Sequence, residues 1–156
     1  MAGQVDPTLF NPELFFHQIN LVVRFGDLDA LGHVNHTKYL TYMEQGRISY
    51  ARDILGWEGD LKAIGMILAS ATVDYLLPLG FGDKFAVMTR CTRLGNKSFD
   101  MAYLIQRSDT SPQIEIAATG VTRLVAYAYQ QDQTIAIPTA WRERIQAFEP
   151  GLKQGA

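Results

Sequence analysis

From His36 to Leu55 the apolar residues return every three or four positions, and after about residue 66 the chain reads as strand after strand, alternating cleanly over Ser98 to Arg107. Tyr39, Leu40, Met43, Gly46, Tyr50, Ala51 and Ile54 fall on one face of a helix. Phe99, Met101, Tyr103 and Ile105 share one side of a strand. A chain that switches period in this way has one economical solution, a long helix laid on an antiparallel sheet. Asn35 is a suitable N-cap for the helix and Gly56 a suitable stop. Gly46 costs helix propensity in the middle of the apolar face, and a close approach of helix to sheet accounts for it.

The remaining elements follow from punctuation. His17 to Phe25 reads as a strand. Met66 to Leu77 is a long apolar run closed by Pro78 and Gly80. Lys84 to Leu94 and Ser98 to Arg107 are strands joined at the hairpin signal Gly95-Asn96. Asp109 to Pro112 is a turn, and Gln113 to Tyr129 is a long strand in which Gly120 marks a bulge or bend. Gln130 to Gln133 turns the chain, Thr134 to Ile137 returns briefly, and Pro138 opens a short helix over 139–148. Residues 1–15 read as a loose lead-in, 16–148 as a single domain and 149–156 as a tail. One helix covers one sheet face; the other face meets water or a second subunit, so a homo-oligomer is expected.

The 156 residues suit one domain with a sizeable core. Fourteen Lys and Arg against sixteen Asp and Glu give a formal charge of −2, which offers a nucleic acid no global attraction. Cys91 is the single cysteine, which excludes an intrachain disulfide and favours a cytoplasmic setting. No run reaches the roughly 20 apolar residues of a membrane helix. Asp6, Pro7 and Pro12 interrupt any secretory signal pattern.

The stretch from Val22 to Leu40 carries the chemistry. It places Asp29 a few residues before a helix N-terminus, where unpaired N–H groups and the helix dipole gather. On turn preferences alone, Asp29 serves an Asx-turn. Asp27 reads as structural. Glu44 lies eight residues beyond His36, roughly 12 Å along the helix, and pairs more naturally with Arg47 one turn away. His33 and His36 form an H-x-x-H, but no familiar ligand set completes a metal site.

The segment RFGDLDALGHVN, Arg24 to Asn35, followed by Tyr39, Leu40 and Glu44, resembles the signature of the 4-hydroxybenzoyl-CoA thioesterase-like branch of hotdog-fold acyl-CoA thioesterases. Val73 to Pro78, Phe81 to Asp83 and Thr92 to Phe99 agree with it, so the likeness runs from about residue 19 to 138. The resemblance implies an α+β hotdog fold, a long central helix wrapped by a five- or six-stranded antiparallel sheet. It implies dimers joined edge to edge, often doubled to tetramers, with active sites at the dimer interface and CoA along the subunit surface. It implies no metal and no organic cofactor.

Thiolate leaves readily because a thiol pKa is only roughly 8.5. One carboxylate with an oxyanion site therefore suffices, and the chain has no G-x-S-x-G. In the family the second aspartate of the motif, here Asp29, acts as nucleophile or as general base. The backbone N–H of His36, first in the helix, is the candidate oxyanion donor. His33, Asn35 and Tyr39 are candidates for positioning substrate; Tyr42, Met43 and Tyr75 are weaker candidates for an acyl pocket. Arg90, Arg93, Asn96, Lys97 and Ser98, with Arg123 beside them, form a basic hairpin suited to CoA phosphates, although a solvated hairpin tip is the commoner meaning of such charges. The expected reaction is hydrolysis of an acyl-CoA to free acid and CoA. Two alternatives stand: a thioesterase for acyl carrier protein substrates, and a non-catalytic acyl-CoA-binding protein.

Overall fold

A Cβ on Gly46 would lie 2.6 Å from Thr89 Oγ1 and 2.8 Å from Val87 Cγ1, so the helix touches the sheet there with nothing between. The computed structural model describes residues 5–60, 64–108 and 112–155. Strand β1 spans His17–Val22 and helix α1 His36–Tyr50, which continues as a wider turn over Ala51–Leu55 and stops at Gly56 in the left-handed conformation. Strands β2, β3, β4 and β5 span Ile64–Tyr75, Lys84–Leu94, Ser98–Arg107 and Ile116–Ala128. A two-residue β6 (Gln133–Thr134), helix α2 (Thr139–Phe148) and a two-residue β7 (Lys153–Gln154) complete the chain.

The sheet runs β1-β3-β4-β5-β2, antiparallel throughout this path, with β6 added beside β5 and β7 parallel beside β3. Its inner face presents Phe85, Val87, Phe99, Met101, Tyr103, Ile105 and Leu124 to Tyr39, Tyr42, Met43 and Tyr50 of α1. The expected α+β hotdog architecture is therefore present. Glu44 pairs with Arg47 at 3.5 Å, as its spacing indicates. The turn expected at 109–112 and the end of the loop expected at 57–63 fall partly outside the described residues.

Three expectations need correction. Residues 7–14 are not a loose lead-in: they form two short 3-10 turns at Pro7–Phe10 and Pro12–Leu14. Leu9, Phe10 and Phe15 cover Met88, Ala102, Leu104 and Ile116 on the outer sheet face, so part of that face meets neither water nor a subunit. Gly120 is not a bulge. The irregularity between β4 and β5 falls at Ala117, between the pairs Gln106–Ile116 and Ile105–Ala118. Gly120 instead leaves room for Met43, whose Sδ would lie 2.6 Å from an added Cβ.

Strand β2 pairs with β5 and shows its other edge to solvent. Ile64, Ile67, Leu68, Tyr75 and the following Leu76 and Leu77 are exposed there. Among the described residues, no helix is long and apolar enough to cross a membrane.

Candidate active site

The turn between β1 and α1 folds back on itself as a miniature ribbon. Asp27 O accepts from Asn35 N at 2.8 Å, Leu28 bridges Val34, and Asp29 N donates to His33 O at 2.7 Å. Gly32, at φ +82°, turns the tip through a conformation that side chains resist. The ribbon is docked on the loop after β2, where Val34 N donates to Leu79 O at 2.9 Å and His33 bridges Gly80. That loop is itself held by Asp83, which accepts from Gly80 N at 2.8 Å and from Arg107 at 2.8 Å.

Asp29 closes an Asx-turn: its Oδ1 accepts from Leu31 N at 2.8 Å and from His33 N at 3.3 Å. The bland role is thus real, but it uses one oxygen. Among the described residues, Oδ2 has no protein partner. Asp29 also lines a cleft of about 290 Å³ with His33, Val34, His36, Tyr39, Tyr75, Leu76, Leu77 and Pro78. Helix α1 begins at His36, and the Asn35 side chain caps it by accepting from Thr37 N at 3.0 Å. The His36 amide is therefore the first of the helix and has no intrahelical acceptor. Asp29, with one carboxylate oxygen unpartnered, and His36, the first residue of a 15-residue helix, thus line one small cleft at the positive end of that helix.

Tyr39 and Tyr75 form one wall, their rings meeting edge to face at 5.2 Å. The Tyr75 hydroxyl donates to His36 O at 3.0 Å and so ties β2 to the helix start. Burial raises the Tyr39 pKa, so this phenol stays neutral. Tyr75, a lesser candidate on the sequence, thus belongs to the cleft. Tyr42 and Met43 point into the core.

Asp27 is structural at the site, as expected. It is 1 % exposed. Oδ2 accepts from Arg24 N at 3.0 Å and from the Tyr42 hydroxyl at 2.8 Å, while Oδ1 accepts from Arg24 Nη2 at 3.1 Å. Burial pushes its pKa up, but the hydrogen bonds from Arg24 and Tyr42 outweigh it and hold the carboxyl below its ordinary range.

The basic hairpin does not line this cleft. Arg93, Asn96, Lys97 and Ser98 lie at the β3–β4 end, where Gly95 N donates to Ser98 O at 2.7 Å. Arg93 is engaged with Asp100 at 2.9 Å, Arg123 grips the same carboxylate at 2.8 Å, and Arg93 also reaches Ser98 at 2.9 Å. Arg90 is a correction: it is 3 % exposed and cannot join a surface phosphate site. Ala86, Met88 and Arg90 point to the outer face, and there Phe15 lies beneath the Arg90 guanidinium at 5.6 Å. The bulge between Cys91 and Arg93 breaks the alternation, so Arg93 faces Asp100 although it lies three residues on from Arg90.

Asp100 offers a pH test of this network. Burial raises its pKa, but Arg123 and Arg93 together bring it below the ordinary value. A carboxyl lowered by folding contributes stability that is complete above its unfolded pKa of about 3.9 and is lost as pH falls through the lower folded value. Asp100→Asn should therefore remove part of the loss of stability on acidification below about pH 4, measured as urea midpoints of both proteins from pH 2 to 7.

Among the described residues, no group of three or more His, Cys, Asp or Glu side chains is placed to hold a metal ion. The pattern of the thioesterase-like superfamily matches residues 23–145, which includes the ribbon, the helix and all four long strands. A Thermus thermophilus thioesterase, solved with coenzyme A and Zn, is 37 % identical, with a TM-score of 0.75 over 88 % of this chain and 96 % of that one. A thioesterase-superfamily protein of Jannaschia sp. CCS1 superposes with a TM-score of 0.82 at 25 % identity, covering 94 % of this chain and 91 % of that one. Acyl-acyl carrier protein thioesterase ATL3 of Arabidopsis thaliana is 35 % identical over 141 residues, 85 % of this chain and 69 % of that protein. The matched region spans 65 % of the Bacillus subtilis protein YsmA and 58 % of Arabidopsis ATL2, about two thirds or less of these curated relatives. With its hotdog architecture and a match that runs through the ribbon and the helix, the chain belongs to the thioesterase-like superfamily.

Proposed function

We propose that this protein hydrolyses acyl-CoA thioesters in the manner of the 4-hydroxybenzoyl-CoA thioesterase-like branch, with Asp29 as the reacting carboxylate. The observation that carries the reading is that Asp29, whose Oδ2 has no partner among the described residues, and His36, the first residue of the helix, line the same cleft. Asp29 either attacks the thioester carbonyl or takes a proton from the attacking water. The His36 N–H, with the helix dipole behind it, receives the developing oxyanion. Thiolate then departs without a dedicated acid; where Asp29 attacks, water then hydrolyses the mixed anhydride so formed, which releases the free acid and restores the carboxylate. His33 and Tyr39, which line the cleft, hold the substrate against the carboxylate, and Asn35, outside the cleft lining, acts through the helix start that it caps. No metal or organic cofactor takes part. The protein works in the cytoplasm as a homodimer paired through the open edge of β2, doubled to a tetramer.

The CoA phosphates fall to Arg93, Asn96, Lys97 and Ser98, where two guanidiniums on the single Asp100 carboxylate leave a positive surplus. Lys97→Ala is expected to raise KM for a CoA ester by about tenfold, the loss of one charge-assisted hydrogen bond, with kcat unchanged. An unaltered KM would remove the hairpin from the binding site.

The ATL3 relationship favours a second reading in which the carrier is acyl carrier protein. One acyl group presented on both carriers separates them. A higher kcat/KM on CoA supports the proposal, and a higher value on carrier protein overturns it in favour of the second reading.

A further inference from the structure

Two rigid units meet at the candidate site. One is the ribbon 27–35, closed by its own hydrogen bonds and carrying Asp29 near its tip. The other is helix α1, which begins at His36. They are joined at the Asn35–His36 peptide and by the local Asn35 cap, whose side chain accepts from Thr37 N at 3.0 Å. A second tie crosses this joint: Tyr42, nearly two turns into the helix, donates its hydroxyl to Asp27 Oδ2 at 2.8 Å. The same carboxylate holds the incoming chain through Arg24 N at 3.0 Å and the Arg24 guanidinium at 3.1 Å. The backbone carbonyl of Asp27 closes the ribbon base on Asn35 N.

We propose that the Asp27 carboxylate is a positioning residue for the reaction, fixing the ribbon that carries Asp29 at one angle to the helix that carries the His36 amide. This rests on reading Asp29 and His36 as the reacting carboxylate and the oxyanion donor. Asp27 itself stays away from the reacting atoms: it is buried and does not line the cleft. Its effect is geometric, because a misplacement of about 1 Å between groups acting on one carbonyl can cost about 100-fold in rate. The tie also persists across the working pH range. Arg24 and Tyr42 keep Asp27 ionised, and burial together with the Asp27 charge raises the Tyr42 pKa, so its hydroxyl remains a donor.

The test uses Tyr42→Phe and Asp27→Asn beside Asp53→Asn. Asp53 accepts from His17 at 3.0 Å and Ser49 at 3.2 Å near the far end of the helix, so its variant reports loss of a structural tie remote from the site. Tyr42→Phe keeps the buried ring and removes only the cross-joint hydrogen bond. Both site-end variants should lower kcat by about tenfold or more with KM unchanged, measured well below their melting temperatures, while Asp53→Asn lowers the melting temperature and leaves kcat alone. In an Asp29→Asn background, Tyr42→Phe should cost nothing further. If Tyr42→Phe keeps the wild-type kcat while Asp29→Asn is inactive, the positioning role is wrong and the reading of the site survives. If Asp29→Asn keeps its activity, that reading fails first. Equal kcat losses in Tyr42→Phe and Asp53→Asn would reduce the Asp27 tie to ordinary stability.

Discussion

Asp29→Asn is expected to lose between about 100-fold and 10,000-fold in kcat, the range a positioned acid or base contributes, while folding as the wild type does. The two halves of this expectation come from the two oxygens. Oδ1 accepts from Leu31 N and His33 N, and an asparagine carbonyl oxygen accepts the same bonds. The Asx-turn and the ribbon it closes are therefore retained. The amide group that replaces Oδ2 can neither attack a thioester nor take a proton from water. A melting temperature close to the wild type, unchanged affinity for CoA and collapsed turnover together identify a chemical rather than a structural role. Retained turnover would leave Asp29 with the turn alone.

Gly46→Val is expected to produce the largest change in stability, a loss of about 3 kcal/mol and of roughly 10 °C in melting temperature. At this position even a Cβ comes within 2.6 Å of Thr89 Oγ1 and 2.8 Å of Val87 Cγ1. Both neighbours are fully buried, both are branched at Cβ, and both sit on β3, which is paired on each side by β1 and β4. The strand cannot recede without breaking its ladders, so the helix must lift. Gly46→Ala shares the clash at Cβ, but the gain of about 1 kcal/mol in helix propensity offsets part of it. Urea denaturation of the two variants should rank them valine below alanine below wild type. Unchanged stability for Gly46→Val would mean that the helix stands farther from the sheet than these distances allow.

Where local chemistry and tertiary packing agree, the fold was legible in the sequence. The period of 36–55, the Asn35 cap, the Gly56 stop and the clean alternation of 98–107 each specify an element without help from distant residues. Gly46 was legible too, because an unfavourable residue on an apolar helix face calls for a partner that needs the space. Gly120 gave the same kind of signal and its meaning was missed: a glycine in a strand fits a bulge as well as a close approach, and the partner that decides is Met43, 77 positions away. The covering of the outer sheet face by Leu9, Phe10 and Phe15 was hidden because short 3-10 turns have no long apolar period to read.

The site divides along the same line. Asp29, Asn35 and His36 are close in sequence, so the motif and the helix start locate them together. Asp27 was recognised as structural, but its tie to Tyr42 spans 15 positions and a change of element. Arg90 looked like part of a basic hairpin because Arg93 and Lys97 follow it. Phe15 covers Arg90 and buries it, although the bulge at Thr92 leaves both arginines on the outer face, and that cover leaves no mark in local composition.

The measurement that tests the central claim most directly is thiol release from short, long and aromatic acyl-CoAs and their carrier-protein counterparts, followed for wild type and Asp29→Asn in parallel. The account predicts steady turnover of at least one CoA ester by the wild type, and a trace from the variant close to the uncatalysed rate. A folded wild-type protein that binds these thioesters and releases no thiol from any of them would contradict it, as would a variant that keeps pace with the wild type.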